Sequence, residues 1–382
     1  MREGMQERRS FPVYTLQELG WCEFFEKQLE CEAAAQPGQS QRRATSLPPD
    51  CLPARVAEEN RGLYRILCEN GEFLGALSGK LRQQSTSGSS GLPAVGDWVL
   101  AQLHEDRATI HRLLERKGKF SRKMAGRKTE EQIVAANVDV VFLVSSLNRE
   151  FNLRRLERYL SLTGQGGARA VIVLNKADLC ETAEAFRSEA GAAAPGTRVV
   201  LTSATRGDGC GELRSILEAG VTGAMLGSSG VGKSSLINAL LGDGGLRTQA
   251  VREGDDRGRH TTSSRQLFLV PGGGVLVDTP GMRELQLWDA ADGIGRTFGE
   301  IQELAARCKF RDCRHLGEPG CAVRAAVESQ ALASERLENF RKLTREEQFL
   351  EAKRDVALRA ERRKELRKLM KSVNRFYRDR GR

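Results

Sequence analysis

The sequence predicts an α/β chain built on a mostly parallel sheet, with a small β-barrel before it and a metal-holding segment after it. Three observations predict this. Continuous apolar runs alternate with helical stretches from Val138 to about Ala305. Short β-like runs separated by turn residues fill Ala54 to Phe120, and three cysteines crowd around one histidine near the C-terminal end.

Composition sets the bounds. The 382 residues suffice for two or three domains, and 40% hydrophobic with 29% charged residues describes an ordinary soluble chain. The longest apolar run, Val138 to Leu147, has strand length, well short of the ~18–20 residues of a membrane span. The opening MREGMQERRS has no apolar stretch behind its charges and is not a secretory leader. A cytoplasmic location without a membrane partner is the expectation. Six of the nine cysteines are scattered between Cys22 and Cys210 without framework spacing, which fits reduced thiols. From Arg341 to Arg382 sixteen Lys and Arg stand against seven Asp and Glu, so nine of the ten net positive charges sit in that stretch. This is the composition of a polyanion-binding tail, and equally of a solvated charged helix.

Residues 1–53 read as an extension and linker. Thr15 to Leu29 has the pattern of a short amphipathic helix, and Gln36 to Asp50 is rich in Pro, Gln and Ser. The next segment, 54–122, carries GLYRILCENG, GEFLGALSGKL, GDWVLAQL and RATIHRLL. Several short strands at this spacing suggest an OB-fold barrel, although a small β-sandwich gives much the same pattern.

In 123–292 the strands DVVFLVSSL, AVIVLNK, RVVLTS, GAMLGSS, RQLFLV and GVLVDTP alternate with helices such as Leu153–Leu162 and Lys233–Leu241. The run Gly227, Ser228, Ser229, Gly230, Val231, Gly232, Lys233, Ser234 fits G-x-x-x-x-G-K-[ST] at every position. It follows a strand and opens a helix continuing with Ser235, the context this phosphate-binding loop requires. Its amides wrap phosphates, Lys233 supplies a point charge, and the Ser234 hydroxyl suits Mg²⁺.

The base is chosen elsewhere. Asn175, Lys176, Ala177 and Asp178 end a strand, where an aspartate can accept from N1–H and the 2-amino group of guanine. Adenine lacks that donor pair, and a site built on such groups discriminates by roughly 10⁴-fold. Ser203 and Ala204, after RVVLT, fit the backbone segment that caps the guanine oxygen. Asp278, Thr279, Pro280 and Gly281 complete the set: Asp278 suits a water-mediated Mg²⁺ contact, and the Gly281 amide suits a γ-phosphate sensor. GTP and GDP are therefore the expected ligands. Between these motifs lies Gly258-Arg-His260-Thr261-Thr262, a natural switch in which Thr261 or Thr262 closes over Mg²⁺. Met282 stands where many GTPases place the Gln that orients water, and a thioether cannot do this. His260 is then the candidate catalytic group, a solvated loop histidine being the plainer reading.

Cys308, Cys313, His315 and Cys321 offer three thiolates and an imidazole within fourteen residues. Soft sulfur plus nitrogen in fourfold number suits one tetrahedral, structural Zn²⁺ with no open position for water.

The motif order is unusual. NKAD and SA precede the phosphate loop, the switch and DTPG, whereas ordinary GTPases run the other way round. With this permuted order, the GRHTT switch, the barrel and the cysteine cluster, the chain resembles the bacterial circularly permuted GTPases that depend on the small ribosomal subunit. The resemblance spans roughly residues 54 to 345. It implies an α/β P-loop GTPase domain, circularly permuted, with an N-terminal OB-fold β-barrel and a C-terminal zinc-binding helical domain (293–345), leaving 346–382 as a basic helical tail. It implies ribosome-stimulated GTP hydrolysis in late maturation of the small subunit, with its rRNA as partner, and favours His260. Barrel, tail and the residues Lys309, Arg311 and Arg314 are surfaces suited to RNA phosphates. A monomer is expected. A signalling-type switch acting through protein partners is the alternative.

Overall fold

The computed structural model describes residues 14–33, 48, 50–85, 91–123, 131–147, 151–242, 265–278 and 291–354. After a turn at residues 16–20, helix α1 (Glu23–Ala33) leads to the barrel strands β1 (Cys51–Asn60), β2 (Leu63–Cys68) and β3 (Gly71–Leu77). Helix α2 (Gly79–Ser85) precedes β4 (Trp98–Leu103) and β5 (Arg107–Leu113). These strands pair in the order β1-β2-β3-β5-β4, and β4 returns to pair with β1. That closure makes a five-stranded OB-type barrel and removes the sandwich alternative. Closure also hides the sheet edges around a small core of Ala54, Val56, Ile66, Val99, Ala101 and Ile110.

The first barrel strand was not legible as a strand. Pro53 near its start and Glu58-Glu59-Asn60 at its end mask the pattern, yet β1 pairs with β2, β4 and a strand of the next domain. It begins at Cys51, ahead of the barrel start expected at residue 54.

A hairpin, β6 (Lys119–Lys123) and β7 (Glu131–Ala136), connects the barrel to the α/β domain. There β8 (Val140–Ser146), α3 (Leu153–Gln165), β9 (Arg169–Asn175), α4 (Ala183–Ala193), β10 (Arg198–Thr202) and α5 (Cys210–Ile216) follow one another. Next come β11 (Thr222–Leu226), α6 (Lys233–Leu241), β12 (Gln266–Leu269) and β13 (Val275–Asp278). The sheet order is β10-β9-β8-β11-β13-β12, parallel except for β12. Leu213 and Ile216 of α5 and Leu236, Ile237 and Leu240 of α6 cover one face, while Leu156 and Leu162 of α3 sit in the cluster on the other. Covered on both faces, the strands need the unbroken apolar runs seen in the sequence. A single pairing, Glu58 with Gln266, carries the barrel sheet into this one, giving eleven hydrogen-bonded strands.

The C-terminal domain comprises α7 (Ala291–Thr297), α8 (Gly299–Ala305), α9 (Ala322–Glu328) and α10 (Ser334–Arg354). Its Phe298, Ile301, Val323 and Leu337 join the same buried cluster as α3. Arg354 is the last described residue, so most of the basic tail lies outside the described residues.

The N-terminal segment differs from the expectation. The helix does not span Thr15 to Leu29, because Gly20 adopts φ +92°, incompatible with a right-handed helix, and α1 starts only at Glu23. Nor is the segment a mere extension. Leu19, Trp21 and Phe25 are buried, and Trp21 meets Trp98 of the barrel edge-on at 4.8 Å.

Candidate nucleotide site and metal cluster

Parallel strands direct their carboxyl ends to one edge, and α/β sheets bind ligands there. The phosphate loop follows β11, the NKAD run ends β9, Ser203 follows β10, and Asp278 ends β13. Four separated motifs thus converge on one edge of the sheet.

One side chain joins three of them. The buried Asn175 amide donates from Nδ2 to the Val231 carbonyl at 2.8 Å. Its Oδ1 accepts from the Thr202 hydroxyl at 3.2 Å and from the Ala204 amide at 3.3 Å. Gly232, at φ +94°, lies against that amide, and a Cβ there would fall on Nδ2. Glycine is therefore required on both conformational and steric grounds. Lys176, with φ +62°, donates from Nζ to the Gly230 carbonyl at 2.9 Å. Asp178 sits half-buried in the 3-10 turn Ala177–Leu179. Ser203 is buried, its amide donating to the Asp208 carbonyl at 3.0 Å, which shapes the loop that presents Ala204.

Around the phosphate loop, Lys233 Nζ donates to the carbonyls of Gly227 at 2.8 Å and Ser228 at 2.6 Å. Ser234 and Ser235 are exposed on the first turn of α6, where helix amides and the helix dipole favour anions. Burial pushes the Asp278 carboxyl above its ordinary value, and the Lys233 ammonium opposes the shift. Such a dry carboxylate gains from a cation placed against it. His260, Thr261, Thr262 and Gly281 lie outside the described residues.

The cysteine cluster forms as the sequence suggested. The ligand atoms of Cys308, Cys313, His315 and Cys321 lie within 4.8 Å of one another. His315 Nδ1 is 3.4 Å from Cys321 Sγ and 3.7 Å from Cys308 Sγ, and the two sulfurs are 3.9 Å apart. A tetrahedron with metal–sulfur bonds of about 2.3 Å and a metal–nitrogen bond of about 2.0 Å has edges of roughly 3.5–3.8 Å. The donor set fits one such ion. His315 is buried in a left-handed turn, and burial holds its imidazole below the ordinary histidine value, in the neutral form a metal needs.

These motifs and their order match known proteins. A family model described as RsgA GTPase matches residues 113–288, and one described as 50S ribosome-binding GTPase matches residues 222–369. The chain is 42% identical to the small ribosomal subunit biogenesis GTPase RsgA of Opitutus terrae, over 91% of this chain and 94% of that one. It is also 42% identical to RsgA 2 of Vibrio parahaemolyticus, over 87% and 86% of the two chains. The chain belongs to the RsgA GTPase family. It is a GTP-hydrolysing enzyme. Among solved structures, YjeQ from Thermotoga maritima superposes with a TM-score of 0.60 at 30% identity, covering 77% of this chain and 98% of that one. YloQ, a circularly permuted GTPase, gives 0.57 at 25% identity, covering 80% and 98%.

The structure of this RsgA-family chain also brings in residues that sequence reasoning missed. Arg155, in the first turn of α3, donates from Nη1 to the Ser228 hydroxyl at 2.6 Å. Arg55 of β1 is buried and donates to the Gly96 carbonyl at 3.3 Å, the Asn137 carbonyl at 3.3 Å, the Thr222 hydroxyl at 2.8 Å and the Leu19 carbonyl. Neither arginine belongs to a motif. No local pattern singled out Arg55, since its strand was itself not legible and the several acceptors a buried guanidinium demands lie far along the chain.

Proposed function

We propose that this enzyme assists biogenesis of the small ribosomal subunit, binding the subunit and its rRNA in the GTP state and leaving after hydrolysis. Relatives bearing that function in their names support this reading over a signalling switch. The observation that carries the site assignment is the Asn175 amide, which ties the base-reading, capping and phosphate loops together. A loop set clamped in this way is preorganised for one nucleotide.

The residue roles follow from the chemistry. Asp178 accepts from the guanine edge, Asn175 and Lys176 hold the base-reading loop against the phosphate loop, and Ala177 opens its turn. Ser203 and Ala204 cap the guanine oxygen. Amides from Gly227 to Gly232, Ser228, Ser229, Gly230 and Val231 included, cradle the phosphates. Lys233 neutralises the β/γ oxygens, and Ser235 extends the helix N-terminus behind Ser234. Ser234 and Asp278 would hold Mg²⁺, which would supply positive charge against the phosphates. Thr261 or Thr262 would close over Mg²⁺, Gly281 senses the γ-phosphate, and His260 orients the attacking water once the switch is ordered. Cys308, Cys313, His315 and Cys321 hold a structural zinc that fixes a loop too polar to fold around its own core. Of the limits expected at 1–53, 54–122, 123–292, 293–345 and 346–382, the barrel start moves to Cys51 and the helical-domain start to Ala291, where β1 and α7 begin, and the chain acts as a cytoplasmic monomer. No helix among the described residues is long and apolar enough to cross a membrane.

The test is GTP turnover with and without purified small ribosomal subunits. Strong stimulation is expected, and its absence overturns the reading. His260→Ala should abolish the stimulated rate while leaving nucleotide affinity intact; unchanged turnover removes His260 from the mechanism. Pure protein should carry about one zinc per chain, as a single four-ligand site requires.

A further inference from the structure

Helix α3 stands between the phosphate loop and the C-terminal domain, and it is bonded to both. Toward the loop it sends Arg155, whose guanidinium reaches the Ser228 hydroxyl at 2.6 Å. Toward α10 it sends the neighbouring residues. Arg154 pairs with Glu338 at 3.1 Å, Glu157 with Arg336 at 2.8 Å, and Arg158 makes a two-bond contact with Glu346 at 2.5 and 2.7 Å. Asn339 adds bonds to the Arg154 carbonyl and the Glu157 carboxylate. Positions 154, 157 and 158 share one helix face, whereas 155 lies about 100° around the axis from 154. One face of α3 is thus gripped by α10 while the adjoining face holds the nucleotide loop.

The grip and the contact are joined through the first turn of α3. The Asn152 side chain caps α3 by accepting from the Arg155 amide at 3.0 Å, so the first turn that carries Arg155 is fixed to the rest of the helix. A capped helix shifts as a unit, and any displacement of α3 carries the Arg155 guanidinium with it. The Arg154–Glu338 pair is half-exposed and the Arg158–Glu346 pair partly exposed. Ion pairs of this kind are individually weak and sensitive to salt, so the rim of the contact can open while the buried Glu157–Arg336 pair holds.

We propose that α3 couples docking of α10 to the nucleotide site, with Arg155 as the positioning residue that passes the displacement to Ser228 of the phosphate loop. The inference rests on residues 227–234 being that loop. Coupling is reciprocal: α10 docking tightens nucleotide binding, and bound nucleotide tightens α10 docking by the same factor. A macromolecular partner that pulls on α10 would then loosen the nucleotide without touching it.

The experiment measures GDP and GTP affinity of the full chain by calorimetry, using a non-hydrolysable analogue for GTP. Glu346→Arg reverses one side of the α10 grip and should weaken GDP binding about fivefold, the low end of allosteric couplings. Adding Arg158→Glu in the same chain re-forms the pair with its charges exchanged and should restore affinity, which general loss of structure would not allow. Arg155→Ala should weaken binding by a similar factor, and Glu346→Arg should then add nothing further. Unchanged affinity in Glu346→Arg overturns the inference. So does a full second fivefold loss when Glu346→Arg is placed on Arg155→Ala, because the coupling would bypass Arg155. A wild-type chain that holds ATP as tightly as GTP would instead sink the guanine reading itself, whatever the variants do.

Discussion

The α/β domain meets its two neighbours through contacts of opposite character. Toward the barrel the contact is a shared sheet and a dry core. Glu58 pairs with Gln266 across the junction, and Arg55 of the barrel bonds Asn137 and Thr222 of the α/β domain besides Leu19 and Gly96. Toward the helical domain an apolar patch around Phe298 and Phe340, with the buried Arg336–Glu157 pair beside it, is rimmed by partly exposed charge: Arg154 and Arg158 face Glu338 and Glu346. Backbone ladders and buried apolar surface resist salt and have one arrangement, whereas charge pairs near solvent can open and re-form. The difference teaches that the barrel is joined through backbone pairing and a buried arginine, whereas the helical domain is held by apolar packing and one buried pair inside a salt-sensitive rim.

Breaking the barrel junction should have the largest effect. Arg55→Met removes the donor to four buried acceptors, at roughly 1 kcal/mol each, so urea unfolding should show a loss of about 4 kcal/mol. Arg55→Lys should recover little, since one ammonium cannot span the same four groups. Burial lowers the Arg55 guanidinium to about 10, so it stays charged at neutral pH and this effect should be constant between pH 6 and 8.

On the helical side, Arg336→Met should cost about 3 kcal/mol, because Glu157 is left buried beside Glu300 without its cation. Hydrogen exchange should show α10 opening while the barrel strands stay protected. Equal loss of protection in both would erase the contrast between the junctions.

The Glu157 pair has a pH signature. Burial pushes the Glu157 carboxyl up, outweighing the Asn339 amide and the Arg336 guanidinium that hold it down, and nearby Glu300, which shares that guanidinium, adds to the rise. The same sharing holds Arg336 above its ordinary value. Native Glu157 therefore keeps its proton at a pH where the unfolded chain has released it. Unfolding free energy must then fall as pH rises from about 4.3 to the raised value, by at most ~1.4 kcal/mol per pH unit. The wild-type stability relative to Glu157→Gln should decline across that window. A difference that grows with pH would mean the ionised form is the favoured one.

The smallest effect belongs to the rim. Arg154→Ala removes a pair whose side chains are 52% and 63% exposed, so about 0.5 kcal/mol or less is expected, vanishing at high salt. A loss as large as that of Arg336→Met would show that the rim, not the buried pair, holds the domain.

Much of this was legible in the sequence because it rests on local chemistry. The phosphate loop needs glycines at fixed offsets, and Gly232 meets both requirements against Asn175. The cluster of Cys308, Cys313, His315 and Cys321 lies within one short loop, so spacing alone brought its donors together. The barrel strands β2 to β5 carried turn residues between them, but β1 did not read as a strand, since Pro53 and a charged end hide a segment that also pairs far along the chain, with β4 and β12. The N-terminal residues looked like an extension because only the fold supplies the surface that buries Leu19 and Phe25.

What the sequence determined by itself is the set of motifs and their permuted order, and with them the expectation of a guanine-nucleotide site at the carboxyl edge of a parallel sheet. Backbone conformation and ligand chemistry at short spacing need no partner from afar. Only the tertiary structure decided that the first barrel strand is the hub of an eleven-stranded sheet, that Arg55 locks four segments, and that Arg155 and its neighbours place α3 between the phosphate loop and α10. Those contacts join residues up to 188 positions apart, as Arg158 and Glu346 do, and no local pattern encodes which distant charge a given arginine will meet.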